Sequence, residues 1–437
     1  MIYPTRGAVV AAAIGAPVAL LVATMAPAVW YAGLAWPLAV LLLTALDAVT
    51  GGQPGQVDAS ITWPRTASVG EPVTGVIDVV FRHAAPKVAQ VAAATNALIA
   101  AGRDGRVAVP INGRSGSAAL DFATLRRGVG RVDALWVRWK GGLGLVWKQR
   151  RVGVDATVRI LPDVRPVHER GAQVFQRHAL QGLLAQMDRG DGSDFESLVE
   201  FRAGMDRRAI DWKQSARHLS LRAKEYRSER NNQIVFAVDA GRQMSEPVAG
   251  LPRIDRAVAA MLLTAWVALK LGDRVALHAF DSRPRIASGS ISGVRGFADL
   301  QRLAADIDYS TDETNYSFAL ATLSRRLSRR SMIVLFTEFT DSTAAEFMIR
   351  ASARLVEKHL LLVVVLRDVE LETIWAARPA TPADVTRAVT AAALLRDRLL
   401  VLTRLRHLGA HVIESEYDRV GDRLVQGYVD LKRRNLL

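Results

Sequence analysis

The chain has 437 residues and no cysteine, half of its residues are hydrophobic, and its formal net charge is +14. The length predicts two or three globular units, and the missing cysteine excludes disulfides, thiolate metal sites and thiol nucleophiles. The basic residues are spread along the chain, without a basic tail or an alternation of basic and aromatic residues. We therefore predict no nucleic-acid partner and favour attraction to an anionic membrane.

The first predicted element is a membrane segment, because residues 7–46 contain no charged side chain. One transmembrane helix needs ~20 apolar residues, so this longer run predicts two helices that meet near Pro27. We place them near 8–25 and 28–46, as a transmembrane hairpin within residues 1–50. The hairpin would contact membrane lipid and return the chain to the side on which it began.

A cleaved signal peptide is the alternative, with Arg6 before its apolar part and small residues around Pro27. The apolar run after Ala28 would then still stop transfer through the membrane. Arg6 and Arg65 flank the apolar run, which favours a cytoplasmic location for the remainder of the chain. We expect a multi-pass protein of the bacterial cytoplasmic (inner) membrane.

Residues 55–165 predict a β module. Alternating runs such as Val73–Val80 and Asp133–Trp139 recur between clusters of Gly, Pro, Asn and Ser, a pattern typical of a small β-sandwich. The alanine-rich stretch near Ala89–Ala101 is the one place where we expect a helix instead. We assign this module a spacing role without chemistry of its own.

Residues 166–230 form a predicted connector, and β-α alternation begins in residues 231–437. The apolar runs that predict buried strands are Ile234–Val238, Val275–Phe280, Met332–Phe336 and Leu360–Leu366. The helical patterns are Arg253–Leu271, Phe297–Ile307, Ser317–Leu327, Thr343–Glu357 and Pro382–His407, followed by a short strand at His411–Glu414 and a helix at Asp418–Arg433. This alternation predicts an α/β domain with a mostly parallel sheet covered on both faces.

Acidic residues follow three of these strands, at Asp239, Asp281 and Glu338. The carboxyl ends of parallel strands meet at one edge of the sheet, where ligands usually bind. Such an oxygen-rich edge suits Mg²⁺, although carboxylates in these positions also cap loops. Both interpretations stay open at this point.

The segment 189–217 is dense in charge yet contains large apolar residues. They are Phe195, Leu198, Phe201, Ile210 and Trp212. A solvated surface does not require a tryptophan between Asp211 and Lys213, whereas a connector that packs onto a domain does. We therefore expect Trp212 to be largely buried.

This segment resembles the bacterial family called domain of unknown function 58. Its hallmark motif is matched by Arg208, Ile210, Asp211, Trp212, Lys213, Ser215, Ala216 and Arg217. The pattern before it is matched by Gly192, Phe195, Glu196, Leu198, Phe201, Arg202, Gly204 and Asp206. The resemblance extends over the full chain and implies a von Willebrand factor A-like domain, a doubly wound fold, in a membrane protein. It also implies a partner, often a MoxR-type AAA+ ATPase, so we expect a scaffold that binds this ATPase and its client proteins.

The resemblance also implies a candidate metal site. Von Willebrand factor A-like domains can hold a metal-ion-dependent adhesion site, which is built from Asp-x-Ser-x-Ser, a threonine and a later aspartate. The chain keeps Asp239 and Thr314. Gly241 and Gln243 replace the two serines, and Glu338 replaces the later aspartate. We expect these residues to converge at the sheet edge without holding Mg²⁺ tightly, because octahedral Mg²⁺ tolerates such changes poorly. No cofactor is expected; a degenerate Mg²⁺ site is the alternative.

The sequence contains no phosphate-binding G-x-x-x-x-G-K-[ST] loop, no G-x-S-x-G elbow and no H-E-x-x-H motif. We therefore predict a protein that is not an enzyme and whose partner surface includes Arg202, Arg207 and Arg208. A metal-dependent adhesion-type domain is one alternative. A hydrolase that uses the strand-edge carboxylates is another.

Overall fold

A computed structural model describes the chain in two compact units, Met1–Leu161 and Pro162–Leu437. The residues it describes are 1–25, 31, 35–102, 105–180, 189–202, 207, 210–218, 220–227, 232–339, 342–434 and 436–437. Both helices and several sheets are present, so the mixed α/β class expected from the sequence is confirmed.

In the described part of the first unit, the helices are α1 (Arg6–Met25) and α2 (Ala35–Val49). The strands are β1 (Ile2–Pro4), β2 (Val57–Thr62), β3 (Thr66–Ser68), β4 (Pro72–Phe81), β5 (Val88–Thr95), β6 (Ile99–Ala101), β7 (Arg106–Pro110), β8 (Ser115–Thr124), β9 (Gly128–Lys140) and β10 (Val146–Leu161). A short 3₁₀ turn at Pro54–Gln56 leads from α2 into β2.

Helices α1 and α2 contact each other, and the Trp36 indole N–H donates a hydrogen bond to the Ala11 carbonyl at 2.9 Å. Of the described residues, Ala35–Gln56 is the one helical stretch long and apolar enough to cross a membrane, and Arg6–Val22 is a shorter apolar helix. Helix α1 agrees with the first predicted helix. The predicted start of the second, residues 28–34, lies outside the described residues apart from Tyr31.

Both ends of the helical pair are fixed to the same sheet. Strand β1, which precedes α1, pairs antiparallel with β10. At the end of α2, the fully buried Asp47 carboxylate accepts N–H hydrogen bonds of 2.8–3.0 Å from Leu143, Leu145 and Val146 in the β9–β10 turn. A buried carboxylate requires such hydrogen-bond partners, so Asp47 attaches the end of α2 specifically to the β9–β10 turn.

The strands of this unit form two mostly antiparallel sheets. One has the order β1-β10-β9-β5-β7 with β3 beside β10, and the other has the order β2-β4-β8-β6. Alternate residues of β4 are buried, as expected for a strand with one face in a core. The shared core takes Ile77, Phe81 and Phe122 from one sheet and Leu135 and Trp139 from the other.

The alanine-rich stretch at Ala89–Ala101 is not helical, and that prediction was wrong. It forms β5 and β6, in which Ala89 and Val91 are fully buried against the core. The reason is that helix propensity is weak compared with tertiary packing. A small side chain on the inward face of a strand fits where the two sheets come close together.

In the described part of the second unit, the helices are α3 (Arg165–Leu180), α4 (Trp212–His218), α5 (Arg242–Ser245), α6 (Arg253–Lys270), α7 (Phe297–Ala305), α8 (Tyr316–Arg326), α9 (Ser342–Val356), α10 (Val369–Ala376), α11 (Pro382–His407) and α12 (Val420–Arg433). The strands are β11 (Arg189–Glu200), β12 (Arg222–Arg227), β13 (Gln233–Asp239), β14 (Pro247–Val248), β15 (Leu251–Pro252), β16 (Arg274–Phe280), β17 (Pro284–Ala287), β18 (Met332–Phe336), β19 (Leu360–Leu366) and β20 (His411–Ser415).

The main sheet has the order β17-β16-β13-β18-β19-β20. All neighbours pair in parallel except the edge strand β17, which is antiparallel to β16. Strands β13, β18 and β19 are apolar and almost wholly buried, because helices cover both faces. Helices α6, α7 and α12 pack on one face, and α8, α9 and α11 pack on the other.

The connector is held on this unit at its first helix. The ring of His168 in α3 meets the Trp266 indole of α6 edge-on, with ring centroids 5.8 Å apart. A Cβ at Gly171 would lie 2.4 Å from the same indole, so only glycine allows this close approach. Strands β11 and β12 then form a separate two-stranded sheet.

Candidate functional site

The candidate site lies at the carboxyl edge of the main sheet, where strands β13 and β18 end. Asp239 is the last residue of β13, and Thr337 and Glu338 follow β18 directly. Thr314 precedes α8, whose N-terminus is capped by the side chain of Asn315. Parallel pairing of β13 with β18 brings the two strand ends together, as the sequence predicted.

The Asp239 carboxylate is fully buried and is surrounded by neutral donors. One oxygen accepts hydrogen bonds from the Gly241 N–H at 2.8 Å and the Thr314 hydroxyl at 2.7 Å. The other oxygen lies 2.7 Å from the Thr337 hydroxyl and 3.1 Å from the Tyr316 hydroxyl. Burial raises the pKa of Asp239, and these four hydrogen bonds oppose the rise.

Gly241 stands where an adhesion-type site has its first serine, and its lack of a side chain is required here. A Cβ at this position would lie 2.0 Å from the Thr314 hydroxyl and 3.1 Å from the Asp239 carboxylate. Thr314 therefore occupies the space that a serine would need. Within the described residues, the buried Gln243 side-chain oxygen has no hydrogen-bond partner.

Glu338 joins this centre through its backbone only. Its carbonyl oxygen lies 3.1 Å from the Tyr316 hydroxyl, but its carboxylate pairs with Arg398 and, at 3.7 Å, with Arg253. Glu338 therefore lies at the sheet edge where it was expected, but its carboxylate is directed to the two arginines and not to Asp239. Two arginines compensate the buried charge of Glu338 from elsewhere, which draws the longer side chain away. Burial raises the pKa of Glu338, and the two arginines act against that rise.

These arginines connect Glu338 to three further acidic residues. Arg398 bonds Glu414 at 3.2 Å, and Arg253 bonds Glu246 at 3.0 Å and Asp368 at 3.4 Å. Neither arginine was predicted as a site residue. The available signal for Arg398 was a basic residue on the helix face that otherwise carries Ala391, Leu402 and Leu405, and a basic residue on a buried face requires a partner.

Asp281, the third strand-end carboxylate, is engaged in a separate ion pair. Its oxygens accept hydrogen bonds from the Arg285 guanidinium at 2.8 Å and from the Arg283 N–H at 3.1 Å. Burial pushes the pKa of Asp281 up, but these hydrogen bonds outweigh it and hold the pKa below its usual value. Across the described residues, no group of three or more His, Asp or Glu side chains is placed to hold a metal ion.

The hallmark motif folds onto strand β12. Ile210 bridges to Ala223, and the Asp211 carboxylate accepts the Gln214 N–H at 3.1 Å, which caps helix α4. The buried Ser215 hydroxyl donates to the Asp211 carbonyl at 2.7 Å and accepts the Arg222 N–H at 2.8 Å. The Gln214 N–H, together with Lys224 at 3.4 Å, lowers the pKa of Asp211.

Trp212 is 69% exposed, so the expectation that it is buried was wrong. The segment is attached by hydrogen bonds of Asp211 and Ser215 and by the β-bridge of Ile210, which leaves the indole outside. Four of the basic and small residues around it are also exposed: Arg202, Lys213, Ala216 and Arg217. Arg207 is exposed as well, whereas Gly204, Asp206 and Arg208 lie outside the described residues.

The fold and the motif define an α/β protein with an apolar N-terminal segment. Residues 197–382 match the family described as "Protein of unknown function DUF58", which supports the family inferred from the motif. No curated protein matches the sequence.

Several solved structures are similar to parts of the chain. The conserved hypothetical protein BatB from Bacteroides thetaiotaomicron is 11% identical over 46% of this chain and 99% of that one, with a TM-score of 0.27. A cohesin module of a Clostridium perfringens family 33 glycoside hydrolase is 12% identical over 25% of this chain and 98% of that one, with a TM-score of 0.18. An uncharacterized membrane spanning protein from Vibrio fischeri is 11% identical over 46% of this chain and 98% of that one, with a TM-score of 0.16. Scores this low carry no argument about fold or function.

Proposed function

We propose that this protein is a non-enzymatic adaptor of the bacterial cytoplasmic membrane. Its second unit is a von Willebrand factor A-like docking domain, and its partners are a MoxR-type AAA+ ATPase and the client proteins of that ATPase. The observation that carries the proposal is the Asp239 centre, a strand-end carboxylate whose oxygens already accept four protein hydrogen bonds.

A metal ion at this centre would have to displace those donors. Mg²⁺ requires near-octahedral oxygen ligands at about 2.1 Å, and it gives up its bound water molecules reluctantly. Gly241 contributes no oxygen from a side chain, and the Thr314 hydroxyl is committed to Asp239. The centre thus supports a docking domain in which the sheet edge is fixed by hydrogen bonds instead of by a metal.

Recognition is then the task of exposed side chains, and the motif offers a suitable set. Trp212 and the cations Lys213, Arg217, Arg202 and Arg207 are exposed on the connector. A large aromatic ring among arginines is typical of the central residues of protein interfaces. The charge of this partner surface favours an acidic region on the ATPase.

The attachment of β1 and Asp47 to one sheet supports a hairpin topology. The chain leaves that sheet through α1 and returns to it at the end of α2. If the chain crosses the membrane twice, β1 and β10 lie on the same side and can pair. A single crossing would place them on opposite sides of the membrane. Reporter fusions after Asp47 and at Leu437 should both report the cytoplasm. A periplasmic signal at Leu437 would contradict the topology and the adaptor model.

The adaptor proposal is tested by capture of the purified ATPase encoded by the same organism, with the detergent-solubilised full chain as bait. Arg202→Glu combined with Arg207→Glu should weaken capture at least tenfold, because each reversal turns an attraction into a repulsion. Arg295→Glu, a charge reversal at an exposed arginine outside the motif, is the matched control and should capture as the unaltered chain does. Equal loss in both variants would reject the proposed surface.

A further inference from the structure

Helices α8, α9 and α11 form one layer on the main sheet, and their outward sides are unusually apolar. Their inner sides supply core residues such as Leu320, Met348 and Leu402. The outward residues Phe318 and Phe347 are each about half exposed, and Val389 of α11 is 64% exposed. A helix that is apolar on both sides normally has a covering on both sides.

The exposed apolar residues of α11 form a stripe along the helix. Val385, Val389 and Leu400 are exposed at helical spacings of four and eleven residues, and Leu399 lies beside them. The Trp375 indole of α10, which packs against α11, is 60% exposed as well. We call these exposed apolar side chains, together with Phe318 and Phe347, the outer helical face.

The same helices are strongly basic. Together α8, α9 and α11 contain nine arginines and three carboxylates, and one of the arginines, Arg398, is turned inward to Glu338. Arg325, Arg354 and Arg396 are exposed on the same three helices. One of the carboxylates, Glu346, is already paired with Arg350 and Arg404. The outer helical face therefore combines apolar side chains with an excess of positive charge.

We propose that the outer helical face lies on the anionic headgroup layer of a membrane. Apolar side chains enter the boundary between headgroups and acyl chains, and arginines bind the phosphate groups above it, as in interfacial helices. The inference does not rest on the docking role of the connector, since it concerns a different surface of the second unit.

Two other occupants fit the chemistry less well. Nucleic acid is bound through phosphate contacts and by stacking of bases on aromatic rings, and the aliphatic side chains of Val389, Leu399 and Leu400 cannot stack. A second copy of the chain would bring two faces of the same positive charge together, which is repulsive. An anionic bilayer accepts both the charge and the aliphatic groups.

The test uses the full chain in nanodiscs, because the chain has no cysteine and single nitroxide labels can be placed freely. A label at Val389→Cys should become accessible to oxygen and protected from an aqueous nickel chelate when the lipid contains phosphatidylglycerol, but not in pure phosphatidylcholine. A label at Ala298→Cys, an exposed position of α7 on the other side of the sheet, should stay aqueous in both lipids.

A second experiment reverses the charge of two arginines on the outer helical face. Arg354→Glu with Arg396→Glu, added to Val389→Cys, should weaken docking on the order of fivefold for each arginine, measured as a shift in the phosphatidylglycerol fraction that protects the label. Phe347→Cys gives an independent labelling position if one variant folds poorly. Three outcomes would overturn the proposal: an aqueous label in both lipids, protection by an oligonucleotide alone, or label-to-label distances that indicate paired copies.

Discussion

The Asp239 centre and the motif around Asp211 use the same elementary device in opposite settings. In both, a carboxylate accepts backbone N–H groups and a nearby hydroxyl group fixes the local chain. Asp239 is fully buried and its donors point inward, whereas Asp211 is attached to β12 at the surface and leaves Trp212 outside. The difference shows that the same device fixes a buried sheet edge at Asp239 and a surface segment with an exposed indole at Asp211.

The comparison predicts its largest effect for Asp239→Ala. Removal of the carboxylate leaves buried hydroxyl and N–H donors without an acceptor, and each such group costs about 1–3 kcal/mol. We expect a loss on the order of 3 kcal/mol or more in the unfolding free energy of the second unit, measured by denaturant titration. Asp299→Ala, an exposed carboxylate on α7, is the control and should change little. Similar melts for the two variants would mean that the Asp239 network adds nothing.

His278 on β16 gives a prediction about pH near the same sheet. It is buried, and burial lowers its pKa to about 4. The unfolded chain, with an imidazole pKa near 6.5, binds the proton first as the pH falls. Stability is therefore lost between about pH 6.5 and 4, by roughly 3 kcal/mol. His278→Leu should remove this part of the pH dependence while keeping the loss contributed by other groups. An unchanged slope between pH 6.5 and 4 would refute the assignment.

Trp212→Ala distinguishes a role of the indole in partner binding from a role in the stability of the fold. Because the indole is largely exposed, we expect the unfolding free energy to fall by less than ~1 kcal/mol, as for ordinary surface substitutions. Capture of the ATPase should fall at least tenfold, because an aromatic ring at an interface is often a major contributor to binding. Phe347→Ala, which removes another exposed ring, controls for the loss of surface apolar area. A large drop in the melting temperature of Trp212→Ala would show that the indole is packed after all.

The smallest expected effect is the response to divalent cations. Calorimetric titration of the full chain with Mg²⁺ or Mn²⁺ should give no heat of specific binding at micromolar concentration, because the oxygens of Asp239 are occupied by protein donors. The same titration of Asp239→Asn serves as the reference. Micromolar binding that disappears in Asp239→Asn would restore a metal to this site and favour an adhesion-type domain.

The sequence predicted the five parallel strands of the main sheet because their signal is local. A strand covered by helices on both faces is apolar along its length, as in β13, β18 and β19, so its limits can be read directly. The approach of Asp239 to the end of β18 was also predictable, since strand ends of a parallel sheet share one edge. Tyr316 and Thr337 were missed, because a hydroxyl near a strand end has no distinctive pattern in the sequence.

By itself, the sequence determined the apolar N-terminal segment, the β-rich first unit, the apolar strands of a mostly parallel sheet and the motif that points to the family. Each depends on periodicity or composition over a short stretch, which survives whatever the rest of the chain does. Only the tertiary structure decided that Ala89 lies in a strand, that Trp212 faces outward and that Glu338 turns to Arg398. For Ala89 and Glu338 the deciding partner is distant in sequence, and packing or ion pairing with it outweighs the local preference of the residue. For Trp212 the neighbouring strand β12 decides, because the hydrogen bonds of the motif to that strand leave the indole outside.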